Sequence, residues 1–299
     1  MNTIDFSTLP PPSVVETISF ESILAAMKAD LVARDPAFTA LVESDPAMKI
    51  LEVCAYRETL LRQRVNDAAK SVMLAYAVGA DLDQLAALYN VERKVITPAD
   101  DSTIPPTEAV MEADADFRRR VLLSLDGLAT AGAKNAYIYH ALSVVGVRDA
   151  AVVAPPIEGV PAGRVEVYVL ADTETGAASS VLLSAVEAAL NAETVRPLTD
   201  IVSVHAATIK DYTISASLYV YPGPDAAVVL ANAQAAVGKY TNENFRLGRD
   251  ITMSGLYAAL HASGVQRVEL AEPSATIVNG PGECARCTEI TVTLAGTDE

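Results

Sequence analysis

Apolar residues recur at alternating spacings of three and four along Ala47, Leu51, Cys54, Leu61, Val65, Ala68, Val72 and Ala75, with Glu58 interrupting the row once. That 3.5-residue period is the seam of helices lying side by side. Asp45-Pro46 is a start signal, with Asp as N-cap and Pro at the first helical position. Neither proline nor glycine follows until Gly79. The pattern predicts one helix over 46–78, roughly 50 Å long at about 1.5 Å per residue. A 100-residue globule has a radius of only about 13 Å, so such a helix must project or join a bundle. Its candidate interface residues are Leu51, Cys54, Leu61, Val65, Ala68, Val72 and Ala75, and a bundle between chains is preferred to one within the chain. The flanking charges Arg57, Glu58, Arg62, Arg64 and Asp67 either sort partners or form a solvated face.

Upstream, Leu9-Pro10-Pro11-Pro12 reads as extended chain, and Ser19 caps a helix from Phe20 to Arg34 that Asp35-Pro36 ends. Downstream, Gly79-Ala80-Asp81 is a stop and restart, with Asp81 capping a short helix over 82–89. The polar, proline-containing stretch 100–107 reads as the centre of a linker, 97–113.

Beyond it the pattern alternates between two periods. Helical stretches fall near 114–125, 133–144, 177–191, 225–240 and 252–262. Strand-like stretches fall at 149–153, 164–170, 201–206, 212–221, 265–270 and 289–294. The predicted class is α+β: an N-terminal long-helix region (1–96), the linker, and two small α/β modules (114–210 and 211–299) with short mixed sheets that need helices to cover them. Aligning Gly146-Val147 with Gly264-Val265 brings Tyr139, Ala141, Leu142 and Pro155 onto Tyr257, Ala259, Leu260 and Pro273. An internal duplication accounts for this. So does the shared chemistry of helix–Gly–strand joints.

Composition then narrows the function classes. The 299 residues carry 22 Lys+Arg against 38 Asp+Glu, a net charge of −16. Phosphate backbones are held mainly by Lys and Arg, so nucleic acid is not an expected partner. The chain is 51% hydrophobic, alanine-rich, only 5% aromatic and without Trp, which suits close backbone packing rather than ring-lined pockets. No basic stretch followed by an apolar run marks residues 1–30 as a signal peptide. The apolar run 72–80 is about half a membrane span, so no membrane anchor is expected. Three cysteines cannot all pair within one chain, which favours a reduced, cytosolic setting.

Chemistry candidates are few. Cys284-Ala-Arg-Cys287 has redox or metal spacing, and an enzyme or metal protein using this pair is the alternative reading. Yet a four-ligand zinc site needs a second pair, and a redox CxxC opens a helix after a strand, whereas this one precedes a strand. The acidic pairs Asp81/Asp83, Asp100/Asp101 and Asp114/Asp116 read as helix starts and solvated linker. His140 and His261 sit among Ala and Leu as core or boundary residues. Arg118-Arg119-Arg120 reads as a solvated face whose side chains fan out. No nucleophile elbow, phosphate loop or dinucleotide motif is present, and no cofactor or metal is expected.

Several stretches carry a resemblance. Ile4-Asp5, Leu9-Pro10-Pro11-Pro12 and Phe20-Glu21 resemble the start of the phage baseplate assembly protein J family. So do Ala55-Tyr56-Arg57-Glu58, the run from Leu61 to Asn66, and Gly79-Ala80-Asp81-Leu82-Asp83-Gln84-Leu85-Ala86. Ala131-Gly132 with Ala136-Tyr137, Asn191 through Arg196-Pro197, Tyr221-Pro222-Gly223-Pro224, the run from Leu247 to Ile251, and Tyr257 to Val268 extend the match across nearly the whole chain in order. The Cys284/Cys287 region is its clearest departure, and nothing is carried over there. The resemblance implies a non-enzymatic baseplate wedge protein of contractile-tailed phages and related particles. It also implies its partners: a second copy of itself in each wedge of a six-fold ring, baseplate protein I, a lysozyme-like sheath-initiator protein, and hub or spike proteins indirectly. N-terminal helices would form a mixed bundle, and C-terminal modules would close the ring. For the mechanism, a hinged strut is expected, with the 100–107 linker letting the C-terminal modules reorient when the sheath contracts. A rigid strut, indifferent to shortening of that linker, is the alternative.

Overall fold

The computed structural model describes residues 10, 12–38, 41–129, 132–154, 163–223 and 225–297. Most of the Leu9–Pro11 opening, Pro155-Pro156 and Pro224 lie outside the described residues. The chain divides into two compact units, residues 1–93 with 113–118, and residues 94–112 with 119–299.

The first unit is helical. α1 (Phe20–Arg34) starts where the Ser19 hydroxyl accepts from the Ser22 amide at 3.2 Å. α2 (Pro46–Ser71) starts where the Asp45 carboxylate accepts from the Ala47 amide at 2.8 Å. α1 packs along α2. α2 does not reach residue 78 as its periodicity predicts. It ends at Ser71, and residues after it turn back, the Ala77 amide bonding the Met73 carbonyl. The turns beyond it are held by a tertiary contact: the Arg118 guanidinium donates to the carbonyls of Leu74 (2.7 Å) and Ala77 (2.6 Å). α3 (Gly79–Ala87) opens earlier than predicted, with the Gly79 amide on the Asp114 carboxylate at 3.1 Å, so Asp81 lies inside its first turn rather than capping it. It closes on Asn90, at φ 55°, with the Val91 amide on the Ala86 carbonyl and the Asn90 amide on Ala87. Asn is among the few side chains that tolerate this left-handed stop.

The second unit opens with a hairpin where a linker was expected. β1 (Val95–Thr97) pairs antiparallel with β2 (Val110–Met111), and Asp100 bridges Thr107 beyond them. Of the helix that follows, α4 (Asp114–Gly127), residues 114–118 belong to the first unit and the remainder to the second.

Next come α5 (Lys134–Ser143), β3 (Val147–Val153), β4 (Arg164–Ala171), α6 (Ser180–Leu190) and β5 (Ile201–Ala206). They form a sheet of order β3-β4-β5, antiparallel then parallel. Val167 and Val169 of its central strand pack with Tyr137, Ala141, Val186 and Leu190. β6 (Thr208–Val220), α7 (Ala226–Asn244), α8 (Met253–Leu260), β7 (Val265–Glu272) and β8 (Glu283–Thr297) build a second sheet, β7-β6-β8, again antiparallel then parallel. Its core joins Ile214 and Leu218 to Val229, Ala233, Val237, Leu256 and Leu260. Each fully buried aliphatic side chain contributes about 1.5–3 kcal/mol relative to exposure.

The two modules share an architecture in permuted order. In the first, a helix–Gly–strand unit (α5, Gly146, β3) precedes the central strand. In the second, the equivalent unit (α8, Gly264, β7) comes after the helix that follows the central strand. Gly146 and Gly264 have φ of 91° and 96°, a conformation costly for any other residue. Each carbonyl accepts from the residue just past its central strand, Asp172 at 2.8 Å and Tyr221 at 3.0 Å. This repeated joint underlies the Gly146/Gly264 sequence match.

One residue, Ala207, separates β5 from β6, so the module boundary falls there and not at 210/211. The Ala207 amide bonds Val169 and the Thr208 amide bonds Gly282, each at 2.9 Å. Leu170, Phe245 and Cys284 bury one another at this joint. Arg148 lies over the Phe245 ring at 4.9 Å and donates to the carbonyls of Phe245 (3.2 Å) and Asn242 (3.1 Å).

Candidate assembly surface

One face of α2 is buried, through Met48, Ala55 and Asn66. The opposite face is apolar and open: Ile50, Val53, Leu61 and Val65 expose 64%, 61%, 66% and 61% of their surface. At 3.6 residues per turn these positions, with Cys54, Leu60 and Ala68, share one side of the helix. Of the seven residues predicted from the seam, Cys54, Leu61, Val65 and Ala68 lie exposed on this side, and Leu51 is half-buried at its border. Val72 is the exposed C-cap, and Ala75 lies beyond the helix in the turn that follows. Ile50, Val53 and Leu60 were missed, because each sits one position off a strict seam row. Their signal was the width of the stripe rather than its period.

The charges on this face are distinctive. Arg57 and Arg64 lie within it, and among the described residues neither meets an acid. The nearest acids flank it and are engaged, Glu58 with Arg62 at 2.6 Å and Asp67 with Gln63 at 2.8 Å. Arg62 also reaches Glu16 at 3.0 Å. Beside it, the buried Asn66 amide clasps the main chain of Glu16, accepting from its N–H at 3.0 Å and donating to its carbonyl at 2.9 Å. Glu16, Arg62 and Asn66 with Leu61 and Val65 line a shallow pocket of about 270 Å³ at the edge of the open face.

The Arg118–Arg120 run is not a solvated fan. Arg118 closes the turns after α2. Arg119 pairs with Asp149 at 2.7 Å, and Arg120 forms a two-pronged bond to Glu112 at 2.9 and 2.7 Å. Glu112 and Arg120 are both buried, and Glu112 also accepts from the Lys94 amide at 3.1 Å. The acidic pairs likewise act inside the fold: Asp83 and Asp114 both hold Arg93, at 2.8 and 2.7 Å. Asp100 caps its own hairpin turn through the Ser102 amide at 2.8 Å. His140 meets the Gly127 carbonyl at 3.2 Å, His205 pairs with Glu166 at 2.5 Å, and His261 is the C-cap of α8.

Cys284 and Cys287 both lie in β8, where residues three apart face opposite sides of the sheet. Cys284 joins the cluster between the modules, and Cys287 packs on the core under α7 and α8. Burial pushes the Cys284 thiol up to about 12 and raises Cys287 as well, the reverse of what a reactive thiolate needs. Among the described residues no group of three or more His, Cys, Asp or Glu is placed to hold a metal ion. At pH 8, a thiol reagent such as DTNB should label exposed Cys54 first and Cys284 only after denaturation. Labelling of Cys284 in the native protein at the Cys54 rate would contradict this burial.

Three domain families match in order: the baseplate J-like N-terminal domain over residues 43–100, the central domain over 129–206, and the C-terminal domain over 212–293. A curated relative, baseplate protein J of Escherichia phage P2, is 49% identical over 307 aligned positions that span both chains completely. A solved structure, the cryo-EM structure of the anti-feeding prophage baseplate, six-fold symmetrised, shares 16% identity at a TM-score of 0.40. It aligns with 61% of this chain, and the chain spans 44% of that neighbour. Among the described residues no helix is long and apolar enough to cross a membrane.

Proposed function

This chain belongs to the baseplate J-like family, and from that premise we propose that it works in the tail baseplate of a phage-type particle as an assembly strut. The coarse assignment, a structural component of a phage baseplate, rests on a full-length relative at 49% identity. The finer one is a wedge subunit of a contractile tail. It associates with a second copy of itself and with a protein I-type partner in a six-fold ring, near a lysozyme-like sheath initiator.

The observation that carries the finer reading is the outer face of α2. An apolar stripe with two arginines that meet no acid among the described residues, on a chain of net charge −16, costs solubility unless something covers it. The 95–111 segment is a hydrogen-bonded hairpin. Reorientation on contraction therefore acts through residues flanking the hairpin, not through a slack tether at 100–107.

Leu61→Asp with Val65→Asp tests this. Both side chains are exposed, so the isolated variant should keep the wild-type circular dichroism spectrum and melting temperature. Expressed with the other tail genes, it should yield no assembled baseplates by electron microscopy. Baseplates at wild-type numbers would refute the role of this face.

A further inference from the structure

The tip of the β1–β2 hairpin is built to hold its shape while presenting apolar surface to water. Asp100 and Thr107 exchange main-chain hydrogen bonds, both at 3.0 Å. The Asp100 carboxylate accepts from both the amide and the hydroxyl of Ser102. The Thr103 hydroxyl lies 3.1 Å from the Asp100 carbonyl and 3.0 Å from that of Pro105. Pro105 and Pro106 further restrict the backbone. Inside this stiff frame Ile104 exposes 99% of its surface. An isoleucine held in water contributes nothing to the fold. Held in a pre-ordered loop, it binds with less entropy to lose.

The charges select the partner. From Val95 to Met111 the hairpin has no Lys or Arg, and Asp101 and Glu108 flank the apolar tip, both exposed. The outer face of α2 has the complementary character: apolar, without acids, and carrying Arg57 and Arg64 free of ion pairs among the described residues. We propose that the hairpin tip of one copy seats on the outer face of α2 in a second copy. Ile104 lies against Leu61 and Val65, and Asp101 and Glu108 face Arg57 and Arg64. This inference rests on the reading of that face as an assembly surface, and it names what covers part of it. The two patches differ, so the contact is head-to-tail and passes from copy to copy, closing into a ring only if the rotation permits.

Charge reversal of the full-length chain, read by sedimentation equilibrium, tests the pairing. Arg57→Glu with Arg64→Glu, and separately Asp101→Lys with Glu108→Lys, should each weaken self-association on the order of tenfold or more. Combining all four should return it to near the wild-type value, which also shows that the variants fold. In the wild-type background an Ala109→Cys variant treated with a bismaleimide should form covalent dimers and larger ladders through the native Cys54. A Cys54→Ser background should abolish them. If the α2 reversal weakens association and the hairpin reversal does not, the α2 face stands and this pairing is wrong. A wild-type chain that stays monomeric at every accessible concentration overturns both.

Discussion

Glu112→Ala should lower the stability of the sheet-containing unit by about 3–5 kcal/mol, the cost of stranding a buried cation. Arg120 has only 6% of its side chain exposed and spends two of its donors on Glu112, at 2.9 and 2.7 Å. The Lys94 ammonium stands 3.7 Å from the same carboxylate and donates to the Leu142 carbonyl at 2.8 Å. Truncating the acid leaves two cationic groups facing each other in a site closed to water. Replacing Glu112 and Arg120 together with Leu and Met should cost much less, because the pair's mutual attraction largely offsets its own desolvation. Urea unfolding of the single and double variants measures both. If the double variant is as unstable as the single, the pair does more than neutralise itself.

Asp149→Ala should cost about 2–4 kcal/mol and loosen one module from the other. The Asp149 side chain, 4% exposed, accepts from Arg119 at 2.7 Å, from the Ala150 amide at 2.9 Å and from the Leu247 amide at 3.0 Å. Leu247 belongs to the second module, so this carboxylate spans the joint that Leu170, Phe245 and Cys284 fill. Arg119 is one-third exposed and can turn to water; the main-chain donors have less recourse. The wild type should melt in one transition for both modules, and Asp149→Ala in two, by calorimetry. Asp149→Asn keeps an acceptor for one amide and should fall between them. A single transition in Asp149→Ala would mean that the apolar cluster alone couples the modules.

Such a joint makes the two modules one body for purposes of assembly. The repeated helix–Gly–strand unit explains why a short motif match was visible in the sequence at all. Its permuted order explains why the match stopped there. Both joints lead into an edge strand, β3 and β7, but β3 is followed by the central strand of its sheet and β7 by the other edge, β8.

Local signals were therefore readable from residues alone. The caps at Ser19 and Asp45 each act through a side chain on an amide two or three residues on, so they survive whatever the rest of the chain does. The caps at Ser179, Asp225 and Thr252 work the same way but came into view only with the helix ends. The α+β class, the open stripe on α2 and the alternating strands follow from periods of 3.6 and 2, which the backbone imposes. What only tertiary structure decided was where polar groups find partners. Arg118 holds the turns that follow α2 by taking carbonyls more than forty residues upstream, and no period predicts that. Asp100 and Thr107 fold a polar stretch into a hairpin because their main chains meet. The arginine run was misread as solvated because three charges in a row look alike. Their acceptors, a pair of carbonyls, Asp149 and Glu112, come together only in the fold. Apolar patterning is additive along the chain. Pairing of charges depends on positions that are neighbours only once the chain is folded.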